Sequence, residues 1–113
     1  MTKIMIRQAE GKWVVRSGGA VLGETTEALE LHEGDLAPVI YFPRNDIAMA
    51  LLDRTEATSE DPTKGEAVFF DIVNMSSITE KAAWSYESPS DALAQVKDHL
   101  AFKVQESVKV EQV

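Results

Sequence analysis

Ile4 and Ile6 alternate with Lys3, Met5 and Arg7, the period of two that lets a strand bury one face and wet the other. Glu10-Gly11 turns the chain. Trp13-Val14-Val15-Arg16 and Ala20-Val21-Leu22 are β-prone runs separated by Ser17-Gly18-Gly19, where paired glycines can supply the positive φ of a tight hairpin turn. Alternation returns over 28–33, with Leu29 and Leu31 inward, until Gly34 and Asp35 break it. Pro38 opens the apolar strand Val39-Ile40-Tyr41-Phe42, and Pro43, which has no amide hydrogen to give a ladder, closes it.

Residues 46–52 fit either a short helix or a bent strand. Thr, Ser, Glu, Asp and Lys dominate 54–65, with Pro62 near the end, and this composition reads as a long surface loop bordering a site. Residues 67–73 are apolar on both faces except Asp71, as a central strand requires, and Asn74-Met75-Ser76-Ser77 turns into a strand over 81–86. One helix is predicted. It starts at Ser88 as cap, with Pro89 at the first helical position and Asp91 closing a Ser-x-x-Asp box. Leu93, Val96 and Leu100 form its apolar stripe, widened by Ala92, while Lys97, His99 and Lys103 suit the negative end of its dipole. A strand at 108–110 completes the chain. The expected fold is mainly β (α+β): one domain over 1–113, built as a curled antiparallel sheet with one C-terminal helix packed on it.

Composition narrows the function classes. At 113 residues, with 44% hydrophobic and 27% charged side chains, the chain can bury one core as an ordinary globular protein. Its formal net charge of −8 repels phosphate polymers and anionic lipid, so neither nucleic acid nor membrane is an expected partner; a local basic pocket for a small anion stays open. The absence of cysteine removes thiol nucleophiles, disulfides and cysteine-ligated metal sites. The first residues lack the apolar run of a signal peptide, and no stretch is long enough to span a bilayer; a cytoplasmic location is the default expectation. His32 and His99 have no ligand spacing, so no metal site is inferred, and no motif specifies a cofactor.

Three segments concentrate charge and aromatic side chains beyond what a core requires. They are Phe42-Pro43-Arg44-Asn45-Asp46-Ile47, Pro62-Thr63-Lys64-Gly65-Glu66-Ala67 and Ala83-Trp84-Ser85-Tyr86-Glu87-Ser88-Pro89, with Ala101-Phe102 further on. In order and spacing they resemble the family numbered 427 among domains of unknown function, over about residues 13–110. That resemblance implies a small β-rich domain of tent-like topology, and the family's label suggests nucleotidyl transfer. The chain departs from the family pattern at Asp61, where many members have cysteine, at Thr63, which replaces tyrosine, and at Asn45, which replaces an acidic residue. The nucleotidyl-transfer label finds no local support: such enzymes hold a metal with closely spaced carboxylates, and the chain contains no Asp-x-Asp.

Arg44 and Lys64 are the candidate ligand-binding cations, because a planar fork and an ammonium beside a glycine both suit carboxylate or phosphate. Their structural alternatives are a salt bridge from Arg44 to Asp46 or Glu66 and a solvated turn lysine. Trp84 and Tyr86 share a strand face and serve as core or pocket wall. Glu66 is a further ligand-binding candidate, and Asp46 and Glu66 are the carboxylates able to act as general base. The leading expectation is a small anionic ligand held by Arg44, Lys64, Glu66, Trp84 and Tyr86, with group transfer as an added capacity. The rival is a noncatalytic structural or interaction module, in which an exposed strand edge pairs two copies into a homo-oligomer.

Overall fold

A computed structural model describes residues 3–74 and 77–113. Among them are ten strands in three antiparallel sheets. The central sheet has the order β6-β7-β8-β9, formed by Leu52–Asp61, Gly65–Val73, Ile78–Pro89 and Ala101–Phe102. One outer sheet, β10-β2-β3, is made of Val108–Gln112, Trp13–Ser17 and Ala20–Thr25. The other, β1-β4-β5, is made of Ile4–Gln8, Leu29–Glu33 and Val39–Tyr41. Among the described residues no helix is long and apolar enough to cross a membrane.

The apolar run at 67–73 explains the layering. A strand with hydrophobic side chains on both faces must be covered on both. On one face Val68, Phe70 and Ile72 join Val15, Leu22 and Val108 of the β10-β2-β3 sheet. On the other, Ala67 and Phe69 meet Leu31, Val39 and Tyr41 of the β1-β4-β5 sheet. Register shifts at Val15/Arg16, Arg54/Thr58, Glu66/Val68 and Phe70/Ile72 mark bulges, which bend strands and curl the sheets.

Two sequence expectations are corrected. Residues 54–65 are no loop: 52–61 is a strand paired with β7 from Leu52↔Ile72 to Asp61↔Gly65. The strand is polar because it lies at the edge, where most of its side chains face water. Only Pro62-Thr63-Lys64 turns the chain. Asp61 opens that turn, accepting from the Lys64 amide at its carbonyl (3.2 Å) and from the Thr63 amide at its carboxylate (2.8 Å), and Gly65 closes it at φ +103°. This is the chemistry of a three-residue hairpin loop with Pro pre-set for the bend and Gly at positive φ.

The second correction concerns the C-terminal helix. Ser88 and Pro89 belong to β8, opposite Glu66 and Gly65, and only Asp91–Val96 is helical, as a 3₁₀ segment preceded by Ser90. Ser90, which precedes this segment in place of Ser88, caps nothing with its side chain: its amide and hydroxyl donate to the Lys64 and Thr63 carbonyls at 3.0 and 2.6 Å. Leu93 and Val96, three apart, suit the three-residue turn of a 3₁₀ helix, and both are fully buried. His99 lies beyond its end and is no dipole partner. In place of the short helix or bent strand expected over 46–52, residues 44–51 hold two 3₁₀ turns, Arg44–Asp46 and Met49–Leu51, split by Ile47, which bridges to Gly23. The turn read at 74–77 falls partly outside the described residues.

That bridge sets a steric constraint. The Ala48 amide donates to the Leu22 carbonyl at 2.8 Å, and a Cβ added at Gly23 would lie 2.4 Å from the Asp46 carbonyl oxygen and 2.6 Å from Ile47 Cδ1. Backbone cannot give way as a flexible side chain does, so Gly23→Ala is expected to destabilise by about 1–3 kcal/mol. In a thermal melt this is a drop of roughly 4–15 °C; an unchanged midpoint would contradict the close approach.

Candidate functional site

Strand β8 sends successive side chains to opposite faces, and this alternation distributes the site residues. Ser85 and Glu87 face Arg44. The Arg44 guanidinium donates to the Asp98 carbonyl at 2.9 Å, the Ser85 hydroxyl at 3.0 Å and the Glu87 carboxylate at 3.1 Å. It also lies 5.7 Å from the centre of the Phe70 ring, as does the guanidinium of Arg54. Arg54 takes both oxygens of the same Glu87 carboxylate. Arg44 therefore ties three separate segments together.

Trp84 and Tyr86 point the other way, into a chamber of about 280 Å³ with Lys64, Glu33, Tyr41 and Ser59 on its walls. Lys64 reaches it from the Pro62-Thr63-Lys64 turn and donates to Glu33 Oε1 at 2.9 Å, while Asp61 Oδ2 stands at 3.9 Å. Gly65 lets this turn lie against the end of β8, since a Cβ there would come 3.0 Å from the Ser90 nitrogen and 3.1 Å from the Ser88 oxygen. Burial lowers the Lys64 pKa, but the hydrogen bond to Glu33 and the electrostatic interactions with Tyr86 (once ionised at high pH), Glu33 and Asp61 outweigh it and hold the ammonium above its ordinary value.

The Trp84 indole N–H donates to the Tyr41 hydroxyl at 3.1 Å. That bond uses a lone pair of Tyr41 and leaves its O–H hydrogen for another acceptor. Burial pushes both phenols above the ordinary tyrosine value, Tyr41 further than Tyr86, so both remain O–H donors at neutral pH. Beside the chamber lies a larger apolar groove of about 570 Å³, lined by Trp13, Ile40, Phe102 and Val110 and sharing Val39 and Trp84 with it.

The structure thus separates residues that the sequence grouped. Lys64, Trp84 and Tyr86 share one chamber. Arg44 belongs to the opposite face of β8, bonded to Glu87 and not to Asp46 or Glu66. Glu66 is exposed on β7 opposite Glu60, and Asp46 lines a shallow depression with Lys12 and Glu24; the two carboxylates do not converge. Among the described residues no three His, Asp or Glu side chains are gathered to hold a metal. Glu33, Tyr41 and Ser59 were missed as site residues. Alternation places Tyr41 inward, but nothing in the sequence pairs Glu33 with a lysine 31 positions away.

The profile of a family described as a domain of unknown function (DUF427) matches residues 5–113. No curated protein matches the chain.

Two outcomes follow from this geometry. Arg44→Ala leaves the fully buried Ser85 hydroxyl and the Glu87 carboxylate short of a donor and should cost about 1–3 kcal/mol in denaturant unfolding; an unchanged midpoint would remove Arg44 from its structural role. The chain's two tyrosines both have raised folded pKa values, so above pH 10 the unfolded state loses phenolic protons first and stability falls as pH rises. Ultraviolet titration should show phenolate appearing later in the folded protein than in the denatured one. Coincident curves would contradict the burial of both rings.

Proposed function

The chain belongs to the DUF427 family, and from its geometry we propose that it binds a small molecule whose carboxylate, or similar acceptor group, enters the chamber beside Trp84. The observation that carries this reading is the convergence of donors on one small space. Lys64, Tyr41, Tyr86 and Ser59, each of which carries a donor group, all line it. Lys64 has three N–H bonds, of which Glu33 takes one and Asp61 stands beyond hydrogen-bond range.

Glu33 and Asp61 oppose a further negative charge, so the anion is held by directed hydrogen bonds and not by a net positive field. Charge-assisted bonds of this kind are short and orienting. The reading is one of binding without group transfer, because the Asp46 and Glu66 carboxylates line neither the chamber nor the groove. Arg44 is left out of the ligand set because it does not line the chamber and its Nε and Nη2 donors are engaged on the other face of β8.

Calorimetric titration with short carboxylates at neutral pH tests the proposal. Lys64→Met should lose binding by tenfold or more. Glu33→Gln, which removes the competing negative charge while keeping an acceptor for Lys64, should bind the same carboxylate more tightly than the unaltered protein. If Lys64→Met binds as before, or Glu33→Gln binds more weakly, the carboxylate reading fails.

A further inference from the structure

The chamber and the apolar groove meet at Val39 and Trp84, which line both. Along β8 the step from Tyr86 in the chamber to Trp84 at the shared wall is two residues, and along β5 the step from Tyr41 to Val39 is also two. Two strand residues span roughly 7 Å. Beyond that wall the groove is bounded by aromatic and aliphatic side chains, with Glu30 and Lys103 as its opposed charges. It contains both tryptophans of the chain.

We infer that the ligand is an amphipathic monocarboxylic acid, its carboxylate in the Lys64 chamber and its apolar body across Trp84 in the groove. This rests on the carboxylate reading above and adds the class of molecule. Three features favour it over a small inorganic anion. The groove is larger than the chamber, about 570 against 280 Å³, and falls within the range of organic ligand sites. Its walls offer little for a hydrophilic ligand to bond, so a sugar or nucleotide body would be desolvated there without compensation. Four donor-bearing side chains gather at the chamber, whereas at the groove Lys103 is opposed by Glu30, and this sets the ligand's direction. Glu30 at the groove is held ionised, chiefly by the hydrogen bond from His32 and then by that from Arg7, and it disfavours a carboxylate at that end.

The chain supplies its own reporter. Because Trp13 and Trp84 are the two tryptophans, any apolar body in the groove should change their emission. Linear saturated monocarboxylates from acetate to decanoate, titrated below their micelle concentrations at neutral pH, are the probes. Affinity is expected to rise about fourfold for each methylene buried, the equivalent of about 0.8 kcal/mol, until the groove is filled. Val104, exposed at the groove's margin, offers a variant that leaves the core alone: Val104→Asp should flatten the chain-length dependence while acetate binds as before. Acids of every length binding equally would overturn the inference and leave the carboxylate site standing. No binding of any acid, even to Glu33→Gln, would overturn both.

Discussion

Over residues 67–73 strand β7 has no face to give to water, and that double burial organises the molecule. Val68, Phe70 and Ile72 need one cover and Ala67 and Phe69 need another. A single outer sheet cannot serve both, so the first five strands, joined by β10 from the other end of the chain, build two. One cover is tied directly to the central sheet, since the Phe42–Leu100 bridge joins the end of β5 to the start of β9, and Phe42 packs edge-on against Phe102 with ring centres 5.9 Å apart. Hydrophobic burial on two sides thereby converts one apolar strand into a three-layer architecture.

The candidate site is a by-product of that arrangement. Two cores that meet along a curled sheet leave space at the seam, and the groove lined by Trp13, Ile40 and Phe102 on one side and Val39 and Trp84 on the other lies there. Polar groups reach the seam from turns and strand ends. Lys64 comes from a hairpin tip and Glu33 from the end of β4, and their ion pair fastens two different sheets at the mouth of the chamber. On the reverse side, Arg44 uses the same strand for a different purpose. It joins the 44–46 turn to β8 and to the bend at Asp98, whose backbone sits at φ +63°, a conformation that aspartate tolerates better than most residues.

Much of the fold was legible from local pattern because local pattern is what fixes it. Period two exposed β1 and β4, Gly18-Gly19 marked the turn between β2 and β3, and the two-sided apolar run located the central strand. The errors came where tertiary partners overrode composition. Residues 52–61 look like a loop because an edge strand needs polar side chains, and Ser88-Pro89 looks like a helix start although a ladder with Glu66 and Gly65 already claims it. In the site, Trp84 and Tyr86 could be placed on one face from spacing alone, and Lys64 was singled out from its turn. Arg44 was singled out for the right chemistry, a planar cation seeking a carboxylate, but its partner Glu87 is 43 residues distant. No spacing rule reaches that far.

The alternation in β8 also limits how the chamber could ever be remodelled. Trp84 and Tyr86 meet the cavity while Ser85 and Glu87 meet Arg44, and a slip of one residue would exchange the two sets. It would carry a carboxylate into the apolar seam and leave a guanidinium facing an aromatic ring. Insertion and deletion are therefore closed routes within this strand. A descendant of this chain could acquire a different ligand by exchanging side chains one at a time, and would have to keep changes of length in the turns.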